Sequence, residues 1–276
     1  MGNVSDAMKK HQAEEAAKAG VAASEPAEQP PEAVREEAGA RQTRFPFVPD
    51  GSGTDGYSPL LLPHHDRGGT VAEEYRGLRT SLLSQCPDQR FCYVITSAVV
   101  GEGKTVTCLN LGLVMAERQE YRTIVVDFDC RKKKMAGLLA ARATPGIADV
   151  LRGKARLQDV VQPTAYANLF LIPAGQARSD ELGELVTRPE LDEAVAELRR
   201  SYDYVLFDTP PVNVVSETAM MGRAVGEALV VVRMNRTHRE SVEKAIRLLH
   251  AANVKVVGMV LTHRKYHIPG YLYRYS

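Results

Sequence analysis

Ser97-Ala98-Val99-Val100-Gly101-Glu102-Gly103-Lys104-Thr105 decides how the rest of this 276-residue chain is read. The apolar run Phe91-Cys92-Tyr93-Val94-Ile95-Thr96 precedes it, and a helix-like run from Val106 to Ala116 follows. Strand, glycine turn, helix is the context in which backbone N–H groups wrap around phosphate oxygens, the P-loop. In such a loop Lys104 reaches the β- and γ-phosphates and the Thr105 hydroxyl takes one Mg²⁺ position. The helix N-terminus adds its dipole. Gly101, Glu102, Gly103, Lys104, Thr105 and Val106 are therefore the expected nucleotide-binding residues. The match to G-x-x-x-x-G-K-[ST] is incomplete, because Ala98 stands at the first glycine.

Outward from the loop, strand-like segments fall at 91–97, 122–128, 169–173, 203–208, 227–233 and 255–262. Helix-like segments fall at 104–118, 146–152, 179–200 (broken at Pro189), 215–223 and 238–252. Near-continuous Val/Ile/Leu strands separated by helices predict an α/β fold, a mostly parallel sheet flanked by helices on both faces. Ligands of such sheets bind at the carboxyl ends of the strands. Ahead of the first strand, Thr70-Val71-Ala72-Glu73 reads as a capping box that opens a helix running to about Ser84.

Two further strand ends carry acids. Thr123-Ile124-Val125-Val126-Asp127-Phe128-Asp129 ends with two carboxylates, and Tyr204-Val205-Leu206-Phe207-Asp208-Thr209-Pro210-Pro211 with one. A Mg-nucleotide needs hard oxygen ligands, some direct and some through water. Asp208 has the position of a Walker B acid. Asp127 and Asp129 share a face by their spacing. One of them can complete the Mg²⁺ shell while the other accepts a proton from an incoming hydroxyl. Lys104, Asp127, Asp129 and Asp208 are the expected catalytic groups, with Thr105, Asp127 and Asp208 as metal ligands. Arg131-Lys132-Lys133-Lys134 follows at once, either as a solvated helix face or as a stabiliser of phosphate charge.

Composition bounds the rest. Residues 1–58 are rich in Ala, Glu, Gln and Pro and are expected to be a disordered extension. The P-loop domain then spans 59–262, and 263–276 is a separate tail. A net charge of +1 gives no case for a nucleic-acid partner. The four cysteines, Cys86, Cys92, Cys108 and Cys130, have no metal spacing and read as core thiols of a reducing cytoplasm. No apolar run approaches the ~18 residues of a membrane span, and no signal-peptide core is evident. Asp6 spoils a myristoylation signal at Gly2.

Taken in order, these segments resemble the bacterial tyrosine kinase family, the P-loop autokinases of capsule and exopolysaccharide export, whose fold is of the MinD/ParA-like type. The resemblance covers roughly residues 70–276. Ile124 to Arg131 is similar to the family's Walker A′ segment, and Tyr204 to Pro211 to its Walker B segment. Gly146 to Gly153 is similar to another family segment. Glu73, Arg76 and Arg79 match an E-x-x-R-x-x-R element that packs subunits into a ring. Tyr266, Tyr271, Tyr273 and Tyr275 resemble the cluster that such kinases phosphorylate. The resemblance implies ATP and Mg²⁺ as cofactors and a homo-oligomeric ring. It also implies a membrane activator of the polysaccharide co-polymerase kind and a cytoplasmic protein recruited to the inner membrane face.

Three departures stand out. Val99 and Val100 replace the family's Pro and small residues, and Ser179-Asp180 replaces a frequent Asn-Pro pair. Thr262 holds a strand-end position often filled by Asn, an adenine contact. Two other readings compete. Partition and cell-division ATPases share the fold but carry a signature Lys where Val99 stands. A non-catalytic nucleotide-binding regulator of an exporter would lack phosphotransfer.

Four of the last eleven residues are tyrosines. Tyr271, Tyr273 and Tyr275 alternate and would share one face of an extended chain, while Pro269-Gly270 favours a break and a flexible tail. A tyrosine hydroxyl, with a pKa near 10, needs a carboxylate base at neutral pH. Each phosphate adds roughly −1.5 to −2 charges. Modification would therefore reverse the sign of a tail that carries Arg264, Lys265 and Arg274.

Overall fold

The computed structural model describes residues 56–86, 88–178 and 181–264. The extension up to residue 55 and the tyrosines Tyr266, Tyr271, Tyr273 and Tyr275 lie outside the described residues, as does Ser179-Asp180.

Seven strands form one sheet: β1 (Phe91–Ser97), β2 (Thr123–Asp127), β3 (Gln162–Pro163), β4 (Leu169–Ile172), β5 (Tyr204–Asp208), β6 (Glu227–Arg233) and β7 (Lys255–Thr262). Their spatial order is β3-β4-β2-β5-β1-β6-β7. Every pairing is parallel except β3 with β4. The expected α/β architecture is thus present. The six expected strands are found within a residue or so of their predicted bounds. The two-residue β3 is too short to leave a periodic signal.

Among the described residues the helices are α1 (Leu62–His65), α2 (Thr70–Leu83), α3 (Lys104–Met115), α4 (Lys134–Leu138), α5 (Ile147–Leu151), α6 (Leu157–Val160), α7 (Leu182–Leu185), α8 (Pro189–Ser201), α9 (Glu217–Val225) and α10 (Arg239–Ala251). The break at Pro189 is real, because Pro lacks the N–H a continuing helix needs and so starts α8 at its first position. The capping box is corrected. Gly69 is the N-cap of α2, Thr70 already lies inside the helix, and no side chain caps it. Of the Arg131–Lys134 run only Lys134 is helical, opening α4; before it, the amides of Lys132 and Lys133 both donate to the Asp129 carbonyl at 2.9 Å.

Strand side chains alternate across the sheet. Cys92 and Val94 enter one apolar cluster with Leu191, Val195 and Leu198 of α8 and Met221 of α9. Phe91, Tyr93 and Ile95 enter the other with Leu109, Leu111 and Val114 of α3 and Leu82 of α2. Both faces are therefore covered, which is why β1, β2 and β5 are buried along their whole length. Cys92, Cys108 and Cys130 are buried free thiols, and Cys86 is half-buried. No described helix is long and apolar enough to cross a membrane.

Candidate active site

The sheet order places β1 between β5 and β6, with β2 beyond β5. The carboxyl ends of β1, β2 and β5 therefore meet, and each carries one of the sequence motifs. Lys104 opens α3 directly behind the loop. Gly101 and Gly103 hold φ +87° and +93°, the left-handed region that glycine enters without a Cβ penalty. Ala98 needs no such freedom. Its φ is ordinary and its methyl is fully buried in the core, so a glycine there has no geometric task. Val99 packs against that core, while Val100 is half exposed.

Lys104 is buried, and its Nζ lies 3.6 Å from Asp129 Oδ2. Asp127 and Asp208 are register partners on β2 and β5, each 1% exposed. Both oxygens of Asp127 accept backbone amides: Oδ1 from Asp129 N and Oδ2 from Met135 N, at 3.1 Å each. Burial, then the facing Asp208 charge, raises the Asp127 pKa; the two amides counter this in part. Burial also raises Asp208, against the lowering effect of Lys104 and of a hydrogen bond from the Thr105 side chain. Asp208 Oδ1 is buried with no partner.

That orphan oxygen bears on Mg²⁺. Buried polar atoms are almost always satisfied, so an unpaired carboxylate oxygen beside a hydroxyl calls for a ligand. No described group of three His, Cys, Asp or Glu side chains could hold a metal alone. Thr105 and Asp208 instead offer two hard oxygens on one side. This fits an ion that shares its shell with phosphates and water.

The structure thus brings Lys104, Thr105, Asp127, Asp129 and Asp208 together. The Glu102 side chain takes no part in the strand-end acid cluster. It turns into the protein: Oε2 accepts Val99 N at 2.7 Å, and Oε1 accepts Arg233 N at 3.1 Å and Thr237 Oγ1 at 2.6 Å. The Thr262 hydroxyl donates to the Glu102 carbonyl at 2.8 Å. Arg233 and Thr237 gave no motif signal; a carboxylate amid loop glycines was the one available clue.

Glu73, Arg76 and Arg79 lie along α2. Arg76 donates from Nε to both oxygens of Glu117, at 3.0 and 2.9 Å, and also pairs with Glu73. Arg79 reaches Glu117 at 2.8 Å and the Val114 carbonyl. Glu117 lies just beyond the end of α3, so the E-x-x-R-x-x-R helix is latched to the helix that begins at Lys104. Glu117 carries no signal in the sequence, since nothing local marks a lone surface acid.

Residues 94–255 match the AAA domain family. The chain is 34% identical over 190 residues to the tyrosine-protein kinase wzc of Salmonella typhi, covering 68% of this chain and 26% of that protein. It is 29% identical over 195 residues to the tyrosine-protein kinase YwqD of Bacillus subtilis, covering 70% of this chain and 81% of that protein. Among solved structures, the kinase domain of the Escherichia coli tyrosine kinase ETK superposes with a TM-score of 0.70 at 25% identity. That superposition covers 84% of this chain and 89% of that one. The chain spans about a quarter of the length of wzc.

Proposed function

We propose that this chain, which belongs to the bacterial tyrosine kinase family within the AAA-domain P-loop proteins, transfers the γ-phosphoryl group of ATP to tyrosine hydroxyls. The observation that carries the reading is the meeting of Lys104, Asp129 and the unpaired Asp208 Oδ1 at one buried strand-end cluster. Phosphoryl transfer asks for little covalent help from a protein. It asks for in-line placement and for stabilised charge.

In this reading the amides of the 101–105 loop and the start of α3 cradle the phosphates, and Lys104 neutralises the transferring group. Thr105 and Asp208 hold Mg²⁺, with Asp127 completing its surroundings. When bound, the ion neutralises charge developing on the phosphates. Asp129 holds Lys104 before nucleotide arrives. Once phosphate draws the lysine away, its carboxylate is free to accept the proton of an incoming tyrosine hydroxyl.

The acceptors in this reading are Tyr266, Tyr271, Tyr273 and Tyr275, modified between copies of the chain assembled through Glu73, Arg76 and Arg79. The domain plan is an extension at 1–58, a kinase domain at 59–262 and a tyrosine tail at 263–276. The setting is the inner membrane face, where a co-polymerase partner activates the kinase and the phosphorylation cycle regulates capsule or exopolysaccharide export. Support for these finer points is the motif resemblance and the tyrosine kinase names of the relatives.

The test is incubation of the purified chain with ATP and Mg²⁺, with and without a candidate activator segment, followed by phosphotyrosine detection. Absence of signal in both arms, with nucleotide binding intact, would favour the non-catalytic regulator instead.

A further inference from the structure

A carboxylate inside a loop shaped for phosphate is electrostatically misplaced unless it serves geometry. Glu102 is 1% exposed, and three donors satisfy its two oxygens. They come from separate places: Val99 in the loop itself, Arg233 at the last position of β6, and Thr237 in the turn before α10. Its carbonyl takes a fourth donor, Thr262, from the last position of β7.

We propose that Glu102 is a positioning residue that fastens the P-loop to the end of β6 and so sets the loop in its phosphate-binding shape before nucleotide arrives. The inference rests on the nucleotide-binding reading above. The amides of 101–105 that must face phosphate cannot be spent on hydrogen bonds within the loop. With Gly101 and Gly103 it also has wide conformational freedom to lose. Bracing from outside removes that freedom in advance, and preorganisation of this kind appears as affinity.

The bonding pattern dictates which substitution is informative. All three side-chain partners are donors, so the site requires acceptors on both oxygens. Glutamine keeps the size but offers one acceptor and one NH₂. Whichever way the amide turns, its NH₂ meets the amide of Val99 or that of Arg233, and one link of the brace opens.

The experiment titrates the full chain with a fluorescent ATP analogue and Mg²⁺, reading both dissociation constant and number of sites. The variants are Glu102→Gln, Thr237→Val and the double substitution. Expected is about a tenfold weaker dissociation constant for E102Q and about threefold for T237V, with one site per chain retained. In the double variant the losses fall short of their product, because both substitutions loosen one hydrogen-bonded brace. A merely structural role would instead lower the number of competent sites and leave the dissociation constant of the remainder alone.

E102Q within twofold of the parent, or losses that multiply independently, would overturn the proposal. So would E102Q failing to fold while T237V binds like the parent. A parent that does not bind the analogue overturns the nucleotide reading and this proposal with it, an outcome visible before any variant is compared.

Discussion

Asp127 and Asp208 face one another in register across adjacent parallel strands, both buried, both at the strand end that meets the P-loop. Two carboxylates placed so close in a dry site oppose each other's ionisation. The backbone amides on Asp127 and the Lys104 charge near Asp208 offset this only in part. The pair stores instability at the point where a cation and phosphates are expected.

Removing one of those charges is therefore predicted to stabilise the nucleotide-free protein while destroying its chemistry. Asp208→Asn should raise unfolding stability on the order of 1–3 kcal/mol. It should also abolish phosphotyrosine formation. Thermal denaturation without nucleotide and a phosphotyrosine blot are the two measurements. A loss of stability would show that the attraction of Lys104 and Thr105 for Asp208 outweighs burial and carboxylate repulsion.

The same pair sets a pH dependence. Folding raises Asp127 to about 8 and Asp208 to about 7, from 3.8 in each case. The folded state then binds more protons than the unfolded one across that interval. Their contribution to stability is present below pH 4 and is lost as pH rises through 7 to 8. Parent and D208N melting temperatures, compared from pH 5 to 8, should converge at the acid end and part at the basic end, with the parent lower. Mg-ATP should raise the parent's melting temperature more at pH 8 than at pH 6, since ionised carboxylates hold the ion better.

Lys104 makes the opposite case. It is the buried cation among Asp127, Asp129 and Asp208, and its ammonium pairs with Asp129. Lys104→Met leaves that carboxylate uncompensated and should cost on the order of 3 kcal/mol. Phosphotyrosine should vanish from every position. Undiminished phosphotyrosine in this variant would move the active site elsewhere.

Replacing Tyr266, Tyr271, Tyr273 and Tyr275 together by Phe separates donor from acceptor chemistry. The expected result is loss of most phosphotyrosine with ATP hydrolysis unchanged. Mass spectrometry of phosphopeptides from the parent identifies the sites. A strong signal surviving the fourfold replacement would place the acceptors among the tyrosines of residues 56–264.

On α2, Arg76 and Arg79 spend their donors within the chain, on Glu117, Glu73 and the Val114 carbonyl. Partly exposed ion pairs of this kind contribute little individually. A double Arg76→Ala, Arg79→Ala variant should accordingly lose only about 1 kcal/mol of stability. If the element joins subunits, light scattering should show a smaller assembly than the parent's. An unchanged mass would confine Arg76 and Arg79 to latching α2 onto α3.

What the sequence disclosed and withheld follows from the range of the forces involved. Buried parallel strands print themselves as runs such as Thr123-Ile124-Val125-Val126, and Gly-x-Gly-Lys-Thr fixes a loop locally, so sheet and loop were legible. The meeting of Asp127 and Asp208 was only half legible. Each acid could be seen at a strand end, but their pairing depends on β2 lying beside β5 across some eighty residues. Glu117, Arg233 and Thr237 were silent, because their roles exist only as contacts to residues distant in the chain. The α2 start was misplaced by one residue for a local reason. Gly69 caps through its carbonyl, which accepts Glu73 N at 3.1 Å, and leaves the Thr70 hydroxyl without the cap role its type suggests.

The bond from Thr262 to the Glu102 carbonyl also fixes an anchor point. Whatever course the residues after it take, that course starts at the lip of the Gly101–Thr105 loop. A fully extended chain gains at most about 3.5 Å per residue. Tyr266 can then range no farther than about 14 Å from that anchor, and Tyr275 no farther than about 45 Å. The reach open to Tyr266 is thus about a third of that open to Tyr275.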